Sequence, residues 1–201
     1  PNSVVHSILY DEDQKKAIGV RVIDSNSKVS QDYFAKVVFV TASTLNTNLI
    51  LLNSKSKRFP NGLGNDNGLL GKFIAFHNYR ATINAEFEGF PQYTKEGAKP
   101  TSHYIPRFRN VYRQETDFLR GYAAGFGAQP NRETNKEGFG AELSNQLLST
   151  KETGVWNVNS HMMGETIPKE SNLVSLDQEK TDAWGIPLLN IDVDYDDNDE
   201  K

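Results

Sequence analysis

Cysteine is absent from the 201 residues of this chain, which excludes disulfide bonds and thiolate chemistry. No apolar stretch is long enough to cross a bilayer, so we expect no membrane-spanning segment. Neither sign of charge dominates, because the chain has 22 Lys and Arg residues and 26 Asp and Glu residues, which give a formal net charge of −4. Because the basic residues also form no patch, the sequence argues against a nucleic-acid partner.

Several motifs that identify cofactor and catalytic sites are missing as well. No GxGxxG follows a predicted strand, and no P-loop, GxSxG turn or HExxH helix occurs. None of the four histidines has the i, i+4 spacing of a helical zinc site. The acidic run at 192–200 lacks the glycine and the final glutamate of a calcium loop. We therefore predict no metal site and assign no catalytic residue.

The most informative stretch that is present is a short apolar run, 37–40, which enters a turn of small residues and leaves as an apolar helix. Such a run is typical of a strand buried on both faces of a parallel sheet, so we predict a strand over 36–41 and a helix over 46–54. The turn would lie at the carboxyl end of that strand, where open α/β sheets bind ligands. Its small side chains would let a large cofactor approach the backbone. The alternative is an ordinary strand-to-helix connection.

The rest of the chain predicts a β-hairpin followed by an antiparallel sheet. The hairpin has strands at 3–10 and 18–23 around a charged turn. After a Gly- and Asn-rich loop at 58–68, polar and apolar residues alternate, as in half-exposed strands. We expect these strands at 80–87, 103–112, 117–129, 154–165 and 188–195, with a helix at 139–148. The predicted class is α+β: a small α/β piece up to about residue 77, then a large, mostly antiparallel sheet with helices on one face.

Two of the predicted strands have faces of unusual composition. Every second residue of strand 117–129 gives a mostly small face: Leu119, Gly121, Ala123, Gly125, Gly127 and Gln129. Either a packed helix or a flat ring system could approach such a face closely. On strand 154–165, alternation places Asn157, Asn159 and His161 on one face. We predict these three as substrate contacts in a polar pocket, although the same residues could simply face water.

Two blocks of the sequence resemble the glucose–methanol–choline (GMC) family of FAD-dependent oxidoreductases. The first block reads AIGVRV at 17–22, KVVFVTASTLNTNLILLNS at 36–54 and GLLGKFIAFH at 68–77. It is similar to a flavin-domain strand that ends in a small-residue turn and is followed by a helix. The second block reads GETIPKESNLVSL at 164–176 and DAWGIP at 182–187. It is similar to the end of the substrate domain, especially in the pyranose-oxidase-like branch, and the two blocks together bracket nearly the whole chain.

The resemblance implies that two parts of the chain have different functions. Residues 1–77 would be the C-terminal portion of an FAD-binding domain and 78–201 a substrate-binding domain. The residues implied to contact FAD are Val5, beside the adenine, and Thr41, Ala42 and Ser43, in the turn beside the dinucleotide. In the family an alcohol carbon gives a hydride to the flavin while a histidine removes the hydroxyl proton. The implied substrate is a sugar or another alcohol.

The chain departs from the family pattern in three places. The GxGxxG segment that holds the flavin pyrophosphate and the C-terminal segment with the catalytic histidine are both missing, and the turn reads Thr-Ala-Ser-Thr where Ala-Gly or Ala-x-Gly is usual. We therefore expect a central fragment whose partners are the missing N- and C-terminal parts of the same polypeptide. Alone it should bind no FAD and oxidise no alcohol. The other hypothesis is a free-standing module that binds a carbohydrate or a peptide without catalysis.

Overall fold

The computed structural model describes residues 1–78, 81–90, 103–130, 137–149 and 154–201. The chain divides into two compact units, of which the first contains 1–75 and 168–194 and the second contains 76–167 and 195–201. The segment 168–194, which the sequence assigns to the substrate-binding part, therefore packs within the first unit. The assignment of 1–77 to FAD and 78–201 to substrate concerns function and stays a prediction.

The secondary-structure elements of the described residues follow one another along the chain. They are β1 (Ser3–Asp11), β2 (Lys16–Asp24), β3 (Ser30–Phe34), α1 (Thr44–Asn53), β4 (His77–Asn78), β5 (Thr82–Phe87), β6 (His103–Ile105), β7 (Tyr122–Pro130), α2 (Gly140–Ser149), β8 (Trp156–Glu165), β9 (Leu173–Thr181), β10 (Pro187–Asp192) and α3 (Asp197–Glu200). All the strand pairings among them are antiparallel, and the predicted α+β class is confirmed.

The first unit contains a three-stranded sheet in the order β1-β2-β3 and a separate hairpin of β9 and β10. The predicted N-terminal hairpin is confirmed, and its turn is fixed because the Asp11 carboxylate accepts hydrogen bonds from the amides of Asp13 and Gln14. Helix α1, which confirms the helix predicted at 46–54, packs against β1, β9 and β10. The buried apolar side chains of this unit are Ile8, Val22, Ile23, Ile50, Leu52, Val174 and Ile186.

Two buried polar side chains join segments of the first unit that are distant in sequence. The Ser54 hydroxyl accepts a hydrogen bond from the Ile8 amide at 2.8 Å and donates one to the Ile50 carbonyl at 2.6 Å. The Asn172 carboxamide donates to the Asp194 carbonyl at 3.1 Å and accepts from the Asp194 amide at 3.0 Å. These hydrogen bonds offset the cost of removing the two polar groups from water.

The second unit is built on a five-stranded antiparallel sheet with β8 at its centre. One edge of β8 pairs with β7, which in turn pairs with β6, and the other edge pairs with both β4 and β5. The strand predicted at 154–165 is confirmed as β8. The strand predicted at 80–87 is observed as β5, and its first residue, 80, lies outside the described residues. No helix in the described ranges is long and apolar enough to cross a membrane.

The prediction of a buried parallel strand over 36–41 is wrong. These residues form no strand, and the side chains of Val37 and Phe39 are 64% and 84% exposed. A continuous apolar run indicates an extended segment that is buried on both sides. It does not indicate that a strand of this chain pairs with that segment. No described strand pairs with this run.

Three strand boundaries were also predicted incorrectly. Strand β6 ends at Ile105 rather than at residue 112, because Pro106 follows and has no amide hydrogen for the sheet ladder. Strand β7 begins at Tyr122 rather than at residue 117, and β10 ends at Asp192 rather than at residue 195. Strands β3 and β9 were not predicted, since both contain several polar residues.

Candidate functional site

The four predicted cofactor contacts all lie in the first unit. Val5 is on β1, opposite Val22 of β2, and is 39% exposed. Thr41 and Ser43 are exposed and Ala42 is half-buried, in the turn that leads into α1. Small side chains and exposure make the turn backbone accessible to a flat ring system. This geometry fits a cofactor contact, and the role of the four residues stays a prediction.

Ser43 adopts a backbone conformation that is unfavourable for residues other than glycine. Its φ is 68° and its ψ is 168°, in a region that is essentially restricted to glycine. Its side chain forms no capping hydrogen bond with α1, so the strain is not offset by a helix cap. The turn therefore has the geometry of a glycine turn although its residue is serine.

Replacement of Ser43 by glycine should stabilise the first unit. We expect Ser43→Gly to raise the free energy of unfolding by about 1 kcal/mol, because relief of the strained φ outweighs the added flexibility of the unfolded chain. Denaturant unfolding followed by circular dichroism measures the change. Ser175→Gly, on the exposed face of β9, is the matched control and should lose about 0.5–1 kcal/mol. A loss of stability in both variants would contradict the strain at Ser43.

The three predicted substrate contacts lie side by side on the central strand of the second unit. Asn157, Asn159 and His161 occupy alternate positions of β8, and all three are exposed. They therefore point from one face of the sheet, as the alternation predicts. Between them, Val158 and Ser160 point to the opposite face, where Ser160 is buried. The structure brings the three polar groups together, and their contact with a substrate stays a prediction.

Glycines on β7 let two of these side chains lie across the sheet. Gly125 is opposite His161, and a Cβ atom at Gly125 would lie 2.5 Å from Cε1 of the imidazole. Gly127 is opposite Asn159, and a Cβ atom there would lie 2.9 Å from Oδ1 of the carboxamide. At these two positions, the small face predicted for this strand is occupied by polar side chains of its neighbour.

Further polar residues join this face through the strand register. Residues directly opposite one another in an antiparallel pair share a face. On one side of β8, β5 therefore contributes three side chains to this face, and on the other side β6 and β7 contribute one each. Including the residues of β8, the polar residues in the middle of this face are Thr82, Asn84, Glu86, Tyr104, Gln129, Asn157, Asn159 and His161. We call this set the polar platform. Its five additional members were missed because the alternation within a strand indicates a face but not which strands are neighbours.

A cavity of about 360 Å³ lies over one part of the polar platform. It is lined by the cross-strand pairs Asn84 with Asn159, Ala85 with Val158 and Glu86 with Asn157, of which the first and the last have their side chains on this face. Neither a hydrogen bond nor an ion pair links these four side chains to another described residue. One carboxylate and three carboxamides therefore offer hydrogen-bond acceptors and donors to a ligand in the cavity.

Two of the other histidines lie away from the polar platform, and the third, His77, shares its sheet face but lies at the far end of β8. His6 is half-buried on β1, where burial and the charge of Arg21 lower its pKa. His77 is opposite Glu165 at the end of β8. His103 is opposite Phe126, on the face of the sheet that points away from the platform. Within the described ranges, no three His, Asp or Glu side chains come together as metal ligands.

Comparison with known proteins relates the chain to dehydrogenases. It is 31% identical to 2-methyl-1,2-propanediol dehydrogenase from Mycolicibacterium austroafricanum, over 92% of this chain and 34% of that protein. It is 26% identical to the fructose dehydrogenase large subunit from Gluconobacter japonicus, over 93% of this chain and 34% of that protein. The chain thus spans about a third of the length of these relatives. No protein-family model matches the chain.

Proposed function

We propose that this chain is a central part of an FAD-dependent oxidoreductase of the GMC family that oxidises a CH–OH group of a sugar or another alcohol. The observation that carries the proposal is the polar platform, an exposed sheet face that collects carboxamide, carboxylate and imidazole groups around glycine positions. The similarity to two dehydrogenases, one named for a diol and one for a sugar, supports the same class of reaction. The pyranose-oxidase-like branch stays a prediction.

In this proposal the residues of the chain bind and orient the reactants. Asn157, Asn159 and His161 hold the substrate hydroxyl groups, since carboxamides and an imidazole can both donate and accept hydrogen bonds. Val5 and the turn at 41–43 would contact the FAD, which would supply the hydride-accepting chemistry that oxidation of an alcohol carbon requires. Positioning of this kind lowers the barrier because the reacting groups are held in place before the reaction begins.

The exposed apolar run at 36–41 supports the proposal that other parts of the same polypeptide cover the first unit. Val37 and Phe39 expose large apolar side chains next to the turn that we assign to FAD. Apolar surface of this kind marks a region that another layer normally buries. We propose that the layer comes from segments before or after these residues in a longer protein. Alone, the chain should then bind no FAD and remain colourless.

The proposal is tested by turnover in the longer polypeptide. With an artificial electron acceptor, we expect it to oxidise 2-methyl-1,2-propanediol or D-fructose, and the purified protein to show flavin absorbance. Single substitutions Asn157→Ala, Asn159→Ala and His161→Ala should each raise KM about tenfold, because each removes a hydrogen bond to the substrate. Asn61→Ala, at an exposed loop position of the first unit, is the control and should change nothing. Unchanged KM values in all three platform variants would refute this assignment.

The competing hypothesis is a free-standing binding module for a carbohydrate or a peptide. A module would bind its ligand through the same polar platform, so binding alone does not separate the two hypotheses. The longer polypeptide decides between them. A protein that binds a sugar but shows neither flavin absorbance nor turnover would support the module and refute the oxidoreductase.

A further inference from the structure

The four side chains that line the cavity on the polar platform form a rectangular array. Glu86 is directly opposite Asn157, and Asn84 is directly opposite Asn159. Direct cross-strand neighbours are about 5 Å apart at Cβ, and alternate residues of one strand are about 7 Å apart. The array therefore spans a distance similar to that between hydroxyl groups at opposite sides of a monosaccharide. All four residues are exposed, so the array is open to a ligand.

We propose that Glu86 and Asn84 are specificity-determining residues that make this cavity a site for a polyhydroxylated substrate, with the Glu86 carboxylate accepting hydrogen bonds from two neighbouring hydroxyl groups. This inference rests on the proposed function and names its substrate class. An ionised carboxylate has two acceptor oxygens and no donor, so it is matched by two hydroxyl donors on adjacent carbons. Hydrogen bonds to a charged acceptor are also stronger than those to a neutral one.

The three carboxamides complete the match to a sugar. Asn84, Asn157 and Asn159 each offer a carbonyl acceptor and an NH₂ donor, and a hydroxyl group can use either. A sugar can bond all four side chains at once, whereas a simple monoalcohol has one hydroxyl and leaves most of the array unbonded. A site built to bond several hydroxyl groups discriminates strongly against a ligand that lacks them. Glu86 carries this preference because its charge-assisted bonds contribute most per residue.

The charge of Glu86 is not neutralised within the described part of the chain. No ion pair of this carboxylate with a described Lys or Arg is present, whereas Glu165 at the other end of β8 pairs with Arg107 and Arg120. Glu165 is therefore engaged by two guanidinium groups, and Glu86 retains its acceptor capacity. Glu86, the acidic member of the polar platform, is therefore available to a ligand in the described part of the chain.

The inference is tested by calorimetric titration of the complete chain with D-fructose and with 1-propanol. We expect D-fructose to bind and 1-propanol to bind at least about tenfold more weakly. Glu86→Gln keeps the shape and removes the charge, and should weaken D-fructose binding about tenfold while leaving 1-propanol unchanged. Glu179→Gln makes the same charge change on the exposed part of β9, in the first unit, and should have no effect. Circular dichroism confirms that both variants are folded.

The outcomes separate this inference from the proposed function. If D-fructose does not bind the wild-type chain, or if Glu86→Gln binds it as tightly as the wild type, the inference is wrong even when the longer polypeptide oxidises an alcohol. If Glu86→Gln weakens binding as expected but the longer polypeptide oxidises nothing, the inference stands and the proposed oxidoreductase function is wrong. An equal loss in Glu179→Gln would indicate a general charge effect and would also overturn the inference.

Discussion

Gly71→Ala is expected to lower the free energy of unfolding of the first unit by about 3–4 kcal/mol. Gly71 is buried with a φ of 87°, a conformation that an L side chain resists. A Cβ atom at this position would also lie 2.4 Å from the carbonyl oxygen of Val174. That carbonyl is backbone and cannot rotate away, and the Val174 amide donates to the Gly71 carbonyl at 2.7 Å. The substitution would therefore separate two segments that are close only in the folded state.

Gly68→Ala is the matched control for the steric part of this effect. Its φ is 71°, but no atom lies within 4 Å of the position that its Cβ would take. We expect a loss of about 1 kcal/mol from the strained φ alone. Urea unfolding of the two variants beside the wild type measures both values. Equal losses would show that the contact between Gly71 and Val174 is not tight in solution.

Gly125→Ala should impair substrate turnover by the longer polypeptide about tenfold in kcat/KM, the same loss that we expect for His161→Ala. The new methyl group would lie 2.5 Å from Cε1 and 2.8 Å from Nε2 of His161, so the imidazole must leave its position over β7. A displaced imidazole no longer bonds the substrate in the proposed geometry. The cost should appear in turnover of D-fructose or 2-methyl-1,2-propanediol with an artificial electron acceptor.

Two comparisons show whether His161 mediates this effect. Gly121→Ala places its methyl group 3.0 Å from Cδ of Arg107, a flexible side chain outside the polar platform, and should change kcat/KM by less than about twofold. The double variant Gly125→Ala/His161→Ala should be no worse than His161→Ala, because both substitutions remove the same interaction. An additive loss in the double variant would show that Gly125 acts through another residue.

The local parts of the fold followed from local patterns in the sequence. The alternation in β8 predicted both the strand and the shared face of Asn157, Asn159 and His161. The charged turn between β1 and β2 predicted their hairpin, because side-chain hydrogen bonds such as those of Asp11 fix turns locally. Periodicity and turn chemistry depend on neighbours in sequence, so they can be read without the fold.

The features that were missed depend on contacts between distant segments. The apolar run at 36–41 has the composition of a buried strand, but burial requires a partner that no local pattern identifies. Glu86 joins Asn157 only because β5 pairs with β8 in one register, and a shift by one residue would turn it to the other face. The glycines on β7 make room for side chains of β8, and this role also depends on the strand register that places His161 opposite Gly125.

The discontinuity of the first unit has a consequence for folding during synthesis. Its two parts, 1–75 and 168–194, are separated in the chain by residues of the second unit. The hydrophobic core that joins Ile8 and Ile50 to Val174 and Ile186 cannot close until the ribosome has released the later part. A nascent chain that ends near residue 77 should therefore remain sensitive to proteases, and a separately made 168–194 peptide should restore its resistance.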